Sequence, residues 1–334
     1  MTAPAVTEIA TYDALRALDG EWQALWDRCP GATTFQRPAW LLPYCDHLGN
    51  GRLAALAFRS EERLVGLAPL FPWDDGPVRV LSLLGAGVSD GVDVLFEPAH
   101  AEACAAALSA HLSAAPARWD RCDLEPLRAS SPLLAMPAPR ACRATCVEEE
   151  ACPVLPLPVG VSGLAAVVPK ETLRNVRRAR ARVEQQGRLA LVTAAGADRA
   201  SILDALFALH ARRWTGQGQP GVLATEAVRA FHRDASAALL AAGALRLHAV
   251  TLDGRVLAVL YGFAAHGTAS FYLQGFDPEH ERLSPGALVV AHAVEEAVRA
   301  GDREADFLRG RERYKYLWGA VDRPTYRLTI TRPC

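Results

Sequence analysis

Seven polar or charged side chains crowd one short stretch: Asp306, Arg309, Arg311, Glu312, Arg313, Tyr314 and Lys315 in "ADFLRGRERYK". Two carboxylates, a phenol and an ammonium are the groups that move protons at a reaction centre. The same residue types also build purely structural ion-pair networks. Lys315 stands out because the chain has 34 arginines and only one other lysine, Lys170. A lysine is a compact cation with three donors, which the planar arginine fork does not copy. The cluster follows "EADFL" (304–308), which reads as a strand with Phe307 on its core face and Asp306 on the other.

A second candidate precedes it. "TASFYLQGF" (268–276) alternates as a strand, with Ala269, Phe271 and Leu273 on one face and Ser270, Tyr272, Gln274 and Phe276 on the other. "SPGALVVAHAVEEAVRAG" then reads as a helix over 286–300. Ser284 fits its N-cap, Pro285 its first position and Gly301 its stop. The first turn offers the amides of Gly286, Ala287 and Leu288 and the positive end of the helix dipole to an anion. An ordinary capped helix start has the same features. A strand–helix–strand crossover makes strands 268–276 and 304–308 parallel, so the charged cluster and the helix start meet at one end of the sheet.

Other stretches compete. "GVSDG" (87–91) fits the Gly-x-Ser-x-Gly pattern of serine hydrolases, but a strand-like "VDVLFEP" follows where that motif needs a helix. It reads better as a glycine-bounded loop presenting Asp90 and Asp93 to a cleft. Cys142 and Cys146 share a face of a strand too far apart for one metal ion, so they and Cys152 are expected as buried thiols. No metal site is predicted. Gln36, Trp40 and Trp214, the last beside the Gly-rich "TGQGQPG" (215–221), either line an acceptor pocket or pack in the core. The helix 169–187 carries Lys170, Arg174, Arg177, Arg178, Arg180 and Arg182, with Arg188 just beyond it. It is a solvated face or a site for a phosphate or for tRNA.

These residues must be carried by a folded chain of 334 residues, 51% hydrophobic and 22% charged, with net charge −1. That balance gives no global field to recruit nucleic acid or membrane. No apolar run reaches the length of a membrane helix and the N-terminus lacks a secretory pattern, so a cytoplasmic location with free thiols is expected. The spacing predicts helices at 11–28, 38–48, 99–112, 198–214 and 225–242. It predicts strands at 52–59, 63–71, 78–84, 92–96, 118–127, 188–194, 244–251, 255–265 and 325–331. Proline density at 132–158 suggests a crossover between units 1–155 and 156–334. "LAALAFRSEERLVGLAPL" (53–70) and "LRLHAVTLDGRVLAVLYG" (245–262) are similar hairpins, each followed by a helix and an Asp-bearing strand, which suggests two copies of one α/β unit.

The C-terminal pattern, "GFD-P" at Phe276–Pro278, "SPG" at 284–286, and "DFLRGRERYK" at 306–315, resembles the Fem-like branch of the GNAT acyltransferases, in particular the CelD-like, cellulose-biosynthesis-type acetyltransferases. "FQRPAW" (35–40) and the basic helix are softer marks of the same group. The resemblance implies a mixed α+β fold of two tandem GNAT-like units, each a mostly antiparallel twisted sheet flanked by helices. The first is the degenerate acceptor side and the second the acyltransferase. It implies acetyl-CoA or another acyl-CoA held by Tyr272, Gln274, Phe276, Ser284, Gly286, Ala287 and Leu288. It implies acyl transfer to an amine, less often a hydroxyl, of a small molecule or an envelope or polysaccharide precursor. Asp306 or Glu312 would serve as base, Tyr314 as acid to the thiolate, and Lys315 or Arg309 would pair with substrate or carboxylates. Gln36, Trp40, Asp90, Trp214 and Arg309 are the substrate-side candidates. Fem-type relatives make an aminoacyl-tRNA donor the alternative, and a GNAT-like binding module without catalysis a further one.

Overall fold

A computed structural model describes residues 3–114, 118–216 and 218–332. The chain divides into two compact units, Met1–Glu150 with Pro324–Cys334, and Ala151–Arg323. The closing strand, expected with the second unit, groups with the first.

In the first unit, β1 (Ala5–Ile9) is followed by α1 (Tyr12–Arg16), α2 (Asp19–Asp27) and α3 (Pro38–His47). Then come β2 (Ala55–Ser60), β3 (Arg63–Ala68), β4 (Leu70–Asp75), β5 (Val78–Leu83), β6 (Leu95–Phe96), α4 (Ala101–Ala114) and β7 (Arg121–Arg128). The helix predicted over 11–28 breaks at 17–18, and the strand predicted over 63–71 divides between two sheets of this unit. One has the order β1-β2-β3-β6; the other includes β4, β5 and β7. The 132–158 segment is not all crossover: it contains β8 (Arg143–Pro156), whose prolines hid it. Cys152 is buried as expected, but Cys146 is exposed and Cys142 only half-buried.

The second unit holds α5 (Lys170–Glu184), β9 (Leu189–Thr193), α6 (Arg199–Thr215), α7 (Glu226–Ala241), β10 (Leu245–Leu252), β11 (Arg255–Ala265) and β12 (Thr268–Phe276). A 3-10 turn (Pro278–Leu283), α8 (Pro285–Ala300), β13 (Glu304–Asp306), α9 (Arg313–Leu317) and β14 (Val321–Thr331) follow. β12 pairs antiparallel with β11, and β11 with β10. β12 pairs parallel with β13, as the crossover argument requires. β13 in turn pairs antiparallel with residues 154–156 of β8. The core on one face of this sheet joins Ala269 and Phe271 of β12, Ala305 and Phe307, and Leu288, Val289 and Val294 of α8, with Ala179 and Val183 of α5 outside them.

The suspected repeat is visible in the hairpins. In β2–β3 the register slips past Val65, two residues after Arg63. In β10–β11 it slips past Leu257, two residues after Arg255. A bulge at the same offset in both copies is a specific feature, because each slip re-aims every later side chain.

Candidate functional site

β12 places the first group of predicted residues, but not in simple alternation. Its register with β11 runs Tyr261↔Leu273 and then Gly262↔Phe271, so Tyr272 is an extra residue. The bulge reverses the faces beyond it. Gln274 and Phe276 therefore join Ala269 and Phe271 on the α8 side, contrary to the alternation read from sequence. Gln274 Nε2 donates to the Gly286 carbonyl at 2.9 Å, and Phe276 packs on the α8 core. Tyr272 lies on the opposite face with Tyr261, Phe263 and His232. Gly275 sits there against α6, where a β-carbon would press on Leu206 and Leu209.

The loop between β12 and α8 is pinned by a charged knot that sequence reasoning overlooked. Asp277 is 1% exposed and accepts from Arg255 at 2.7 Å, Arg212 at 3.1 Å and the Glu279 amide at 3.1 Å. Burial pushes its pKa up, but the Glu279 amide and the two guanidiniums outweigh that and hold it below the ordinary value. Asp277, Glu279 and His280 are close enough together to suggest metal ligands. Arg212 and Arg255 already bind both carboxylates, so the positive charge comes from the protein. The paired spacing of Arg255 and Asp277, on neighbouring strands, was the available signal.

At the start of α8, Ser284 is left-handed (φ 56°, ψ 47°) and its side chain makes no cap bond. This corrects the N-cap expectation. Its carbonyl instead accepts from the amides of Ala287 (3.1 Å) and Leu288 (3.3 Å), so these two are not open to an anion. The Gly286 amide is the one left in the first turn among the described residues. The Ser284 hydroxyl receives Arg182 of α5 at 3.3 Å. Thus one residue of the basic helix reaches the helix start. A β-carbon at Gly286 would lie 2.9 Å from Gln274 Nε2, so the Gln274 amide would have to shift. Gly301 ends the helix with φ 80°, as predicted.

The parallel pairing of β12 and β13 lasts three residues, Thr268↔Glu304 to Ser270↔Asp306. Beyond it the chain turns away, with the Phe307 amide donating to the Pro153 carbonyl and Gly310 to Ala151. Residues 271–276 of β12 consequently have no strand partner on that side among the described residues. This leaves a backbone edge running toward the α8 start.

The predicted catalytic cluster separates into buried and exposed members. Asp306 is 3% exposed and its Oδ1 accepts the Leu308 amide at 2.8 Å, holding Leu308 in a left-handed turn (φ 57°). Lys315 is also 3% exposed; its Nζ donates to the carbonyls of Leu308 (3.1 Å), Arg309 (2.7 Å) and Gly310 (3.1 Å) and lies 2.9 Å from Glu312 Oε2. Three donors against three converging carbonyls is a task for an ammonium. Gly310 has φ 106°, and a β-carbon there would strike the Glu312 carboxylate. Glu312 itself is largely exposed at the N-cap of α9. Tyr314 is 41% exposed, yet burial of its hydroxyl end, with the Glu312 carboxylate adding, pushes its pKa up to about 12. Arg213 of α6 influences the same hydroxyl and stacks 5.4 Å from the Phe276 ring.

Among the substrate-side candidates, Arg309 is half-buried beside the cluster, and Trp214 is half-buried against His210 and Gly221. Gln217 of the adjacent loop lies outside the described residues. Gln36 and Trp40 are buried within the first unit. Gln36 bonds Val94 and Thr33, and Trp40 Nε1 donates to Ser89 Oγ at 2.9 Å. These bonds occupy the polar atoms of both side chains within the first unit. Ser89, the hydrolase-like serine, is fully buried and no helix follows it. Asp90 is half-buried in the same loop. Among the described residues, no helix is long and apolar enough to cross a membrane.

Residues 170–316 match the family model described as acetyltransferase (GNAT) domain. The chain is similar in fold to FemX (TM-score 0.67, 12% identity, 97% of this chain and 96% of that one). It is similar also to L-PGS from Bacillus licheniformis (0.59, 12%, 92% and 90%). A tandem GNAT protein from the clavulanic acid biosynthesis pathway matches at 0.51, with 13% identity and 98% of each chain. No curated protein matches the sequence. Residues 170–316 thus match a GNAT acetyltransferase domain, and the two-unit α+β fold of the chain is similar to those of FemX and of the tandem GNAT protein.

Proposed function

We propose that this protein transfers an acyl group, acetyl in the simplest case, from acyl-CoA to an amine of a small molecule or an envelope or polysaccharide precursor. The observation that carries the reading is the edge of β12 beyond Ser270, where its pairing with β13 ends, leading to the start of α8. Amides and carbonyls along such an edge suit the amide-bearing pantetheine arm. The Gly286 amide, the helix dipole and Arg182 suit its pyrophosphate. Gln274 and Phe276 shape the approach.

The chemistry asks for little more. The amine nitrogen attacks the thioester carbon, the C–N bond forms, and the tetrahedral oxyanion collapses with cleavage of C–S. Glu312, exposed at the N-cap of α9, accepts the proton the amine loses, directly or through water. Tyr314 stays protonated and delivers its proton to the departing thiolate. Asp306 and Lys315 hold the turn that aims both. Titration calorimetry with acetyl-CoA tests the donor: binding that weakens severalfold in Arg182→Ala supports the site. No binding of any acyl-CoA by the folded protein refutes it.

Exposed Arg177 and Arg178, which form no ion pair among the described residues, favour a second reading with an aminoacyl-tRNA donor. That reading requires salt-sensitive tRNA binding, lost in the Arg177→Ala, Arg178→Ala double variant.

A further inference from the structure

The first unit contains a cavity of ≈ 350 Å³ formed entirely from its own residues. Three segments enclose it: the loop 29–33 after α2, residues 91–96 ending in β6, and residues 128–132 after β7. Its volume is in the range of small-molecule sites. Most of the wall is apolar, including Pro30, Ala32, Phe96, Pro98 and Ala101. The Cys29 thiol on the wall is pushed up to about 11 by burial and stays neutral.

The wall is also held rigid. Gln36 Nε2 donates to the Val94 carbonyl at 2.9 Å and its Oε1 accepts the Thr33 amide at 2.7 Å. Thr33 Oγ1 donates to the Gly91 carbonyl at 3.1 Å. Two of the three segments are thereby tied across the cavity.

Asp93 is the carboxylate on this wall. Its Oδ1 accepts the Val94 amide at 2.8 Å and the Ser131 hydroxyl at 2.9 Å. Its Oδ2 has no hydrogen-bond partner among the described residues, yet it is not sealed from solvent. An ionised oxygen facing a mainly apolar cavity is poorly compensated, and a cation bound there would supply what is missing. Arg128 also lines the cavity, and its charge acts on Asp93. Burial raises the Asp93 carboxyl to about 7, against the lowering by the Ser131 hydroxyl, the Val94 amide and the Arg128 charge.

We propose that this cavity binds a small primary ammonium with a short aliphatic body, the ammonium on Asp93 Oδ2 and the body against the proline and alanine wall. A hydrocarbon lacks the charge, an alcohol compensates Asp93 poorly, and a carboxylate is repelled by it. The site is independent of the acyl-transfer reading: it lies in the other unit and shares no residue with that machinery.

n-Butylammonium is the probe, with 1-butanol as its uncharged counterpart, titrated into the full-length protein by calorimetry at pH 8. The amine should bind at least tenfold more tightly than the alcohol. Asp93→Asn should weaken the amine at least tenfold and leave acyl-CoA binding unchanged. Ala101→Phe, which fills the cavity and keeps the carboxylate, should weaken it similarly. Hydrogen exchange of the unmodified protein should show amine-dependent protection in 91–96 and 128–132. Equal affinity for amine and alcohol, amine binding that survives Asp93→Asn, or protection confined to the second unit would each overturn the proposal.

Discussion

Replacing Lys315 tests whether the cluster after β13 is held by one buried ammonium. Lys315→Met keeps the length and apolar stem but removes three hydrogen bonds to the Leu308, Arg309 and Gly310 carbonyls and the Glu312 contact. Hydrogen bonds to a charged group contribute ~1.5–3 kcal/mol each, while the ammonium no longer needs to be desolvated. The net loss should be about 3–5 kcal/mol, the range for breaking a buried charged arrangement. Because Leu308 is left-handed and Gly310 has φ 106°, the loss should appear first as local opening. Hydrogen exchange of 308–318 should accelerate far more than that of α7 or β10. Lys315→Arg should be impaired as well, because a planar fork does not direct three donors at three converging carbonyls. Turnover should fall in both variants, with kcat lowered more than acyl-CoA affinity. Unchanged exchange in 308–318, together with normal turnover, would refute the bracket.

Tyr314→Phe should lower kcat by ~10²-fold while leaving acyl-CoA binding within about twofold, measured by steady-state kinetics and calorimetry. Since its pKa lies near 12, the phenol is protonated throughout the neutral and mildly basic range, so the unmodified enzyme should show no loss of this acid below about pH 10. Gly310→Ala should destabilise the turn by about 1–3 kcal/mol, read as a lower urea midpoint, because the new β-carbon meets both an unfavourable φ and the Glu312 carboxylate. Asp93→Asn should be stabilising at pH 8 and neutral at pH 4. A carboxyl raised to about 7 contributes stability below its unfolded pKa near 4 that is lost as pH rises to 7, at most ~4 kcal/mol for three units. Parallel urea curves for the two proteins at pH 4 and 8 check the sign.

The crossover from β12 through α8 to β13 was legible because helix stop, strand pattern and loop length agree, and topology leaves parallel pairing as the outcome. The faces of β12 were not legible. One extra residue at Tyr272 reverses Gln274 and Phe276, and nothing in an alternating string announces it. Asp306, Glu312 and Lys315 share one short stretch of sequence, but which of them is buried and which exposed turns on the left-handed Leu308. Gln36 and Trp40 attracted attention by type alone; their partners, Val94 and Ser89, lie more than forty residues away in sequence. Arg182 was hidden among equals. Only the packing of α5 beside α8 distinguishes it from Arg177 and Arg178.

The two units repeat more than a hairpin. In the second, an antiparallel β11–β12 hairpin is followed by the parallel β12–β13 pair, and β13 pairs antiparallel with β8. In the first, the β4–β5 hairpin is followed by the parallel β5–β7 pair, and β7 pairs antiparallel with β14. The order matches, but the last strand in each case comes from the wrong place in the chain. β8 follows β7 in sequence yet completes the β13 side, and β14 follows β13 yet completes the β7 side. The copies have thus exchanged their final strands. A strand edge left without its partner exposes a row of unpaired amides and carbonyls. Neither half of the sequence therefore contains all the strands of one unit. The same exchange puts the Pro153 carbonyl beside Phe307 and the Ala151 carbonyl beside Gly310, the two contacts that draw the chain away from β12. The open edge of β12 is in this sense a consequence of the exchange: β8 captures the residues after Asp306, and the gap that remains is where the donor is proposed to lie.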